Sequence, residues 1–459
     1  MVNSKDTASS FVGFLMFCRG LFYCYYIAKA VQLIMDYSEK LCQQSSTKKA
    51  GKAGKSGEIA KQKWAILSLS SIPLVMTLGN SMLIPVLPAM EKKLSITPFQ
   101  TSMIITVYSI VAIFLIPVAG YLSDHIGRKK VIIPSLIITA LGGAISAWAS
   151  WKADDAYWII LAGRALQGVG AAGAAPIVLP LVGDMFKSDH DVSSTLGVIE
   201  TSNTFGKVLS PVLGAFLAGI VWFLPFFLIP VFCAISILMM GLLVKCPKSE
   251  EKPIPFKTFF ANIKDTFTKK GRWLNAIFFI GGILMFVLFG VLFYLSEVFE
   301  KELGIKDLKK GLFLALPLGA LCLSSYITGK VIKKNKVLMK WLILAGILMA
   351  GASIAVLYFS VKLWFLLTMF TICGVGIGVC LPSLDALITE GIDKKERGTI
   401  TSIYSSMRFI GVAAGPPLVA LLLKKSDVWI FVLLSGACVL SALVALLKIR
   451  PGRKEEPAG

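Results

Sequence analysis

The sequence predicts an all-α polytopic membrane protein, and three observations support this fold class. Hydrophobic residues make up 56% of the 459 residues, and charged residues only 16%. Apolar stretches of about 20 residues, enough for a helix to cross a ~30 Å hydrocarbon core, recur from end to end. Because lipid leaves unpaired backbone groups without partners, and alternating strands are absent from the sequence pattern, these stretches are expected to be helices and not a barrel.

Twelve apolar stretches meet this length, and each is predicted to be one span. They cover residues 64 to 90, 98 to 122, 131 to 150, 157 to 186, 193 to 221, 223 to 245, 272 to 298, 310 to 331, 338 to 360, 363 to 390, 399 to 424 and 427 to 448. The longest interval divides them into six and six. The predicted organisation is an N-terminal extension, a six-helix bundle, a linker, a second six-helix bundle and a tail, at residues 1 to 63, 64 to 245, 246 to 271, 272 to 448 and 449 to 459.

The extension and the linker are each predicted to contain a helix. Residues 11 to 35 are apolar but carry Arg19 and Lys29, so this extra N-terminal helix either crosses the membrane or lies in its interface. It is expected to take no part in the chemistry. The linker is predicted to form an amphipathic helix on the inner membrane face, with a solvated linker as the alternative. Its apolar residues at helical spacing are Phe256, Phe259, Phe260, Ile263 and Phe267.

The distribution of charge predicts the topology. The net charge is +21, and bases concentrate in alternate loops, such as 128 to 130 and 330 to 340. Because basic loops stay inside, residue 63 and the C-terminus are predicted to be cytoplasmic, in a plasma-membrane protein. Such basicity indicates anionic lipids as partners and not nucleic acid. The nine cysteines form no CxxC pair, so neither a metal site nor any other cofactor is predicted.

An internal repeat relates the two halves. A shift of 205 residues places GKVLSPVLG, at 206 to 214, on GVAAGPPLV, at 411 to 419, in the fifth span of each half. Parallel repeats of six helices can enclose a transport site near the membrane midplane. The two bundles are therefore predicted to be related by a pseudo-twofold axis.

Four stretches carry a resemblance to a known family. GYLSDHIGRKK, at 120 to 130, resembles the G-x-L-x-D-x-x-G-R-K loop of the major facilitator superfamily. LGNSMLIPVLP, at 78 to 88, and GVAAGPPL, at 411 to 418, are similar to the first-span and eleventh-span motifs of its twelve-span drug:proton antiporters. LAGRALQGVGAAG, at 161 to 173, resembles the fourth-span R-x-x-Q-G motif. The resemblance implies the major facilitator fold and transport by alternating access.

The resemblance also implies that the loop at 120 to 130 latches the two halves together in an outward-facing state. The latch residues are then Gly120, Asp124, Gly127 and Arg128, with Asp184 as the partner acid at the end of the fourth span. Simple anchoring by the bases is the alternative, but it leaves Asp124 and the glycines unexplained. The matching loop of the second half has no acid, so the latch is predicted to be asymmetric.

The fifth span resembles the antiporter motif of the same subfamily. Small side chains let another backbone approach, and the proline bends the helix by removing a hydrogen bond. The resemblance implies that this contact seals the cavity and is typical of exporters, while plain packing is the alternative. The motif residues are Gly197, Gly206, Ser210, Pro211 and Gly214, and then Ala215, with Ser210 and Ala215 replacing two glycines.

Charges inside the predicted spans are costly and are therefore functional candidates. Both histidines are placed in loops, so Glu200 is the first candidate for proton coupling and Asp385 the second. Structural ion pairs with Arg408 or Arg164 are the alternative for both acids. Arg164 matches the family's fourth-span arginine, which implies a role in proton transfer, whereas bonding to backbone carbonyls is its structural alternative. Lys207 is unexpected in this motif, and two roles are open for it: it holds an anionic group of a substrate, or it offsets the charge of Glu200.

Further side chains are predicted to line a cavity of mixed aromatic and polar character, although plain packing is the alternative for the aromatic and methionine residues. Together with Lys207 and Arg408 they are Asn80, Met82, Tyr108, Asn203, Tyr294, Met407 and Phe409.

The expected function is proton-coupled multidrug efflux of small hydrophobic or amphipathic compounds, as in antibiotic resistance. The alternatives are a dedicated exporter of one metabolite, siderophore or lipid-linked product, and a receptor that binds ligand without moving it. No phosphate-binding loop, metal cluster or nucleophile elbow supports an enzyme. The expected partners are a small-molecule substrate, protons and lipid, the energy source is the proton gradient, and the protein is expected to be a monomer.

Overall fold

The computed structural model describes residues 57 to 153, 155 to 186, 189 to 244, 256 to 332, 335 to 360, 362 to 392 and 394 to 449. The predicted N-terminal helix at 11 to 35, the first part of the linker and nearly all of the tail lie outside these residues. Within the described ranges the chain is helical and contains no strand.

Twelve segments are long and apolar enough to cross a membrane, which confirms the predicted number. They are called spans 1 to 12 in chain order, and span 1 consists of two helices. The helices are Gly57–Ser81 and Leu87–Leu94 for span 1, then Pro98–Ile126, Arg128–Lys152, Ala156–Met185, Asp189–Ile220, Leu224–Leu243, Phe256–Lys301, Asp307–Ile332, Lys336–Ala355, Leu363–Gly391, Lys394–Leu423 and Asp427–Lys448.

Span 1 is interrupted near one end, at a 3-10 turn over Ile84–Val86. Pro85 lacks the backbone N–H that a continuous helix requires, and Pro88 follows it in the first turn of the next helix. The interruption frees backbone carbonyl groups, and two of them accept hydrogen bonds from the second half of the chain. Ser296 Oγ donates to Ile84 O at 2.8 Å, and Lys310 Nζ donates to Pro85 O at 2.6 Å.

The linker and span 7 form one helix of 46 residues, Phe256–Lys301. The sequence predicted a span that begins at 272, and the membrane-crossing part of this helix begins at Trp273, but the unbroken connection of the linker helix to the span was not predicted. Gly271 lies at the junction, but the backbone stays helical through it, and no proline stands between 256 and 301 to end the helix. The side chains of the predicted amphipathic face at 256 to 267 lie outside the described residues, so that prediction stays open.

The two halves pack alike, as the repeat predicts. Within the first half, spans 3 and 4, 2 and 4, and 3 and 6 pack together, and the same pairs shifted by six spans pack in the second half. Between the halves, span 2 packs on span 11 and span 5 packs on span 8, which are again symmetry mates. The fold is therefore two six-helix bundles with pseudo-twofold symmetry, while the predicted domain boundaries remain predictions.

One face of the bundle carries the turn at Gly127 and the lysines that follow it, and we call it the basic face. Lys129 Nζ donates to Gly241 O and Val244 O, at 2.9 and 2.7 Å, and so caps the end of span 6. In the second half Lys340 Nζ donates to Leu446 O near the end of span 12, at 3.2 Å. Because cations stabilise the C-termini of helices, Lys129 and Lys340 stabilise the ends of spans 6 and 12 in the same way.

The other face, which we call the opposite face, is bordered by exposed tryptophans. Aromatic rings of this kind concentrate where lipid meets water. Here they stand at the ends of spans 3, 4, 10 and 12, at Trp148, Trp151, Trp158, Trp364 and Trp429. On the basic face the exposed tryptophans are Trp64 and Trp341. The two bands mark the depth at which the helices lie in the membrane.

Candidate functional site

Four charged side chains from both halves meet near the middle of the molecule. Lys207 of span 5 interacts electrostatically with Glu200, which lies earlier on the same helix. It also interacts electrostatically with Asp385 and Arg408 of the second half. The Arg408 guanidinium stands 3.8 Å from Asp385 Oδ1 and over the ring of Tyr404, at 5.6 Å. We call Glu200, Lys207, Asp385 and Arg408 the central cluster.

The central cluster faces water and not lipid. Glu200 is exposed, yet it interacts electrostatically with Asp385 and Arg408 on the other half, so its exposure is to the space between the halves. The side chain of Asp385 is 38% exposed and that of Arg408 20%. Two positive and two negative groups therefore line one polar space between the bundles, which is where the repeat predicts a substrate site.

Asn203 connects this cluster to span 1. Its amide nitrogen donates to both carboxylate oxygens of Glu200, at 3.2 and 3.4 Å, and its amide oxygen accepts from Thr77 Oγ1 at 2.5 Å. Among the described residues, Glu200 is thus bound by a neighbouring amide and by no cation in direct contact. Of the predicted cavity residues, Asn203, Lys207 and Arg408 lie in the central cluster or bind it.

Arg164 lies elsewhere, in the core of the first half, and is fully buried. Its guanidinium donates to the carbonyl oxygens of Ile104 and Gly79, at 2.8 and 3.2 Å, and to the side-chain oxygens of Gln167 and Asn80. It also stacks over the ring of Tyr108, 4.6 Å away. This geometry favours the structural alternative, in which Arg164 ties spans 1, 2 and 4 together, and its predicted part in proton coupling stays untested.

The remaining cavity candidates lie at packed contacts. Met82 is fully buried where span 1 meets span 5, and Phe409 packs on a buried cluster of spans 2 and 4. Tyr294 lies in the core of the second half, where its hydroxyl donates to Asp427 Oδ2 at 3.1 Å. Met407 is half-buried, and its backbone carbonyl faces Gly282 of span 7. For these aromatic and methionine residues, and for Tyr108, the geometry agrees with the packing alternative, while Asn80 accepts a hydrogen bond from Arg164, and the predicted lining roles stay untested.

The predicted latch residues do come together at the basic face. Arg128 Nη1 contacts Asp124 Oδ1 at 2.5 Å, and Arg128 Nε donates to Asp184 Oδ2 at 2.9 Å. Arg128 also donates to Ser123 Oγ at 3.0 Å. All three partners belong to the first half, so in this conformation these contacts do not bridge the halves. Gly127 has a φ of +102°, which explains why a glycine ends span 2.

The antiporter motif of span 5 makes two kinds of close contact. A Cβ on Gly206 would lie 3.1 Å from the side chain of Leu74 on span 1, and Gly214 leaves no room for a side chain beside Met82 O. Ser210 is buried and donates to Gly206 O, and the Pro211 carbonyl faces Gly311 of span 8. Gly197 lies away from these contacts, with open space around it. The motif therefore joins spans 1, 5 and 8 toward the opposite face.

Two buried charges were missed by the sequence reasoning. Glu297 and Lys310 are 3% and 2% exposed at their side chains, although neither was named among the charges inside the predicted spans. Lys301, which lies between the predicted spans 272 to 298 and 310 to 331, is in the last turn of the span 7 helix. The helices extend further than hydropathy indicates, because charged side chains at their ends find partners in the other half. The sequence feature that could have revealed these contacts was Glu297, a carboxylate inside the predicted seventh span.

The histidines were also placed wrongly in loops. His125 lies in the last turn of span 2, with its ring 4.0 Å from that of Tyr121, and the backbone of His190 is helical in span 5. The span 2 helix continues to the glycine at 127, so only one residue separates it from span 3. Among the residues described, no group of three metal-binding side chains occurs.

Comparisons with known proteins match this architecture. The chain is 53% identical over 392 residues to the Bacillibactin exporter of Bacillus subtilis (strain 168), covering 85% of this chain and 97% of that protein. It is 24% identical to the class C tetracycline resistance protein of Escherichia coli, covering 76% of this chain and 88% of that protein. The crystal structure of the human organic anion transporter MFSD10 has the same fold, with a TM-score of 0.66, 16% identity, and coverage of 84% and 99%.

The family assignment follows from the sequence profile and the fold together. The profile of the Major Facilitator Superfamily matches residues 69 to 416 and 338 to 459, which is most of the chain. The twelve spans, the repeated packing and the membrane-facing aromatic bands agree with an integral membrane protein of this family. The chain belongs to the Major Facilitator Superfamily.

Proposed function

We propose that this transporter exports one class of small molecule with acidic groups, of the siderophore class, by alternating access. The observation that carries the proposal is the 53% identity to the Bacillibactin exporter, which extends over nearly the whole of that protein. This favours the dedicated exporter over the broad multidrug efflux that was the main expectation from the motifs.

The central cluster supports a cargo with acidic groups. The 3.8 Å between Arg408 and Asp385 is too long for a hydrogen bond, so the guanidinium keeps donors for a ligand. An arginine binds acidic oxygens through two parallel hydrogen bonds, and the Lys207 ammonium adds a second positive charge nearby. Glu200 and Asp385 balance these two bases in number, so the binding of an acidic cargo depends on Lys207 and Arg408 in particular.

We propose that Glu200 and Asp385 serve the proton coupling. Both acids share the polar space with the two bases, so the charge state of either one changes how strongly Lys207 and Arg408 hold an anionic cargo. With the basic face in the cytoplasm, as the positive-inside distribution predicts, an anionic cargo also leaves with the membrane potential. That potential contributes roughly 2.3 kcal/mol per charge for each 100 mV.

A second candidate is multidrug efflux, which the 24% identity to the class C tetracycline resistance protein favours. The two functions differ in cargo. A dedicated exporter carries its own metabolite and ignores lipophilic cations, whereas a multidrug antiporter lowers the accumulation of ethidium.

The test uses bacterial cells that make bacillibactin but lack their own exporter. Expression of the wild-type chain is expected to raise bacillibactin in the medium several-fold over empty vector and to leave ethidium accumulation unchanged. Lys207→Gln is expected to abolish most of this secretion, whereas Lys336→Gln, at an exposed position at the start of span 9, is the matched control and keeps it. Secretion equal to empty vector contradicts the siderophore proposal, and lowered ethidium accumulation would then support multidrug efflux.

A further inference from the structure

A network of six charged side chains joins the two halves at the opposite face. Its first-half members, Glu91 and Lys92, follow the break in span 1. The members from the second half come from the end of span 7 and the start of span 8, and they are Glu297, Glu300, Lys301 and Lys310. Three acids and three lysines balance one another, and we call these six residues the opposite-face lock.

Two lysines each bind partners from both halves. Lys301 Nζ lies 2.8 Å from Glu91 Oε1 of the first half and 2.7 Å from Glu297 Oε2 one turn earlier on its own helix. Lys310 Nζ lies 2.9 Å from Glu300 Oε2 and donates at 2.6 Å to Pro85 O of the first half. Lys92 adds a longer contact to Glu300, at 3.5 Å. Separation of the halves at this face therefore breaks several charged contacts at once.

The centre of this network is dry. The side chains of Lys310 and Glu297 are 2% and 3% exposed, and that of Glu300 is 9% exposed. A buried ion pair that loses one partner leaves an uncompensated charge, which is costly in a way that an exposed pair is not. The buried ion pairs at the centre therefore hold the two halves together. Lys92 at the rim is 56% exposed, so its ion pair contributes little to the stability of the closed state.

An apolar layer separates this network from the central cluster. A small void at this level is lined by Lys207 together with apolar side chains of both halves, among them Ile84, Pro211, Leu288, Leu292, Leu314 and Leu318. Closure at the opposite face therefore has two levels, an apolar layer next to the transport site and charged pairs beyond it. Water and cargo at Lys207 can cross to the opposite face only if both levels separate.

We propose that the opposite-face lock is the gate of this transporter at that face. Its charge pairs set how much of the resting protein is closed there. The break in span 1 is part of the device, because it supplies the Pro85 carbonyl that Lys310 binds. This role is separate from the choice of cargo, so it holds whether the cargo is a siderophore or a drug.

The experiment measures opening through a single reporter cysteine. Leu292→Cys, in the buried apolar layer, is placed in the full chain after its nine native cysteines are replaced, and the protein is reconstituted in nanodiscs. The rate of labelling by a membrane-impermeant maleimide then reports how often the layer is exposed. Glu91→Gln is expected to raise this rate about tenfold, and Lys301→Gln at least as much, because Lys301 also binds Glu297. The double variant is expected to label no faster than Lys301→Gln, because the contact between Glu91 and Lys301 is already lost there.

Two variants separate charge from packing and folding. Lys301→Arg keeps the charge and is expected to label like the parent, and Lys93→Gln, an exposed neighbour on the same short helix as Glu91, is the matched control. Rates equal to the parent in Lys301→Gln and Glu91→Gln would overturn the proposal, and so would fully multiplicative effects in the double variant. If Lys301→Arg labels as fast as Lys301→Gln, packing and not charge closes the face, and the proposal also fails.

Discussion

The charges at the two faces of this transporter look alike in the sequence but are used differently in the structure. At the basic face Arg128 binds Asp124 and Asp184, and all three belong to the first half. Both acids are largely solvated, 47% and 43% exposed at their side chains. At the opposite face Lys301 and Lys310 bind the first half from the second, at sites that are mostly buried.

This difference indicates which face is held closed. Ion pairs hold two bodies together only when their members come from both, and they are strong only where water is excluded. The contacts at the opposite face meet both conditions, whereas those of Arg128 meet neither. Among the described side chains, the ion pairs of Arg128 stay within the first half in this conformation, while the latch residue Gly120 lies beside span 11, where a Cβ at this position would stand 3.6 Å from Ser402 Oγ.

The largest effect is expected from Lys310→Met. Glu300 and the Pro85 carbonyl then lose their buried partner, and breaking such a pair costs about 3 to 5 kcal/mol. The closed population at the opposite face should fall by more than 100-fold, and export should fall with it. Lys309→Met, at the exposed neighbouring position, should change neither. The closed population is measured by reporter-cysteine labelling, and export by its initial rate. If Lys310→Met and Lys309→Met gave equal labelling and equal export, the buried pairs of the opposite face would be no stronger than exposed ones.

A smaller effect is expected from Gly311→Val in span 8. A Cβ at Gly311 would lie 2.5 Å from Pro211 O of span 5, so the two spans cannot close as tightly. Overpacking of this kind costs about 1 to 3 kcal/mol, which should lower the export rate by roughly tenfold. Gly319→Val on the same span is the control, since open space surrounds Gly319. Unchanged export in Gly311→Val would show that the approach of spans 5 and 8 does not limit transport.

At the basic face, Gly127→Ala should act through backbone strain. The φ of +102° at Gly127 disfavours any residue with a Cβ, at a cost of about 1 to 3 kcal/mol. The midpoint of thermal unfolding should fall by a few degrees, whereas opposite-face labelling of the reporter cysteine should not change. Gly183→Ala, in the open end of span 4, provides the comparison. Faster labelling in Gly127→Ala would mean that the basic-face turn also controls the opposite face.

The smallest effect is expected from Arg128→Gln in this conformation. Exposed pairs contribute about 0 to 1 kcal/mol, and 1 M salt screens them to a ~3 Å Debye length. The free energy of unfolding should change by less than about 1 kcal/mol, and the difference from the parent should disappear in 1 M salt. Denaturant titration at low and high salt measures it. A loss of free energy in Arg128→Gln as large as the one expected for Lys310→Met would contradict the conclusion that only the buried ion pairs are strong.

The sequence was sufficient for the spans because lipid permits few alternatives. A run of about 20 apolar residues has to be helical, so hydropathy predicted all twelve spans. The break at Pro85 was readable in principle from two nearby prolines. The union of the linker with span 7 was not, because hydropathy marks where a helix enters lipid and not where the helix begins.

The charged contacts were harder to predict because their partners are remote in the chain. Lys310 binds a carbonyl 225 residues away, and no local pattern reports such a pairing. Its position at the first residue of a predicted span made it resemble an ordinary loop lysine. Asp385 and Arg408 were named as candidates, but only the packing of spans 10 and 11 shows that they lie together. The contacts of Asp184 with Arg128 were anticipated only through the family resemblance.

We propose that Lys207 and Arg408 hold an acidic cargo between the halves. Equilibrium binding of bacillibactin to the purified full-length wild type, to Lys207→Gln and to Arg408→Gln measures this. Hydrogen bonds to charged groups contribute about 1.5 to 3 kcal/mol, so each variant should raise the Kd by at least tenfold. Equal affinity in all three proteins, or no binding to the wild type, would contradict the claim.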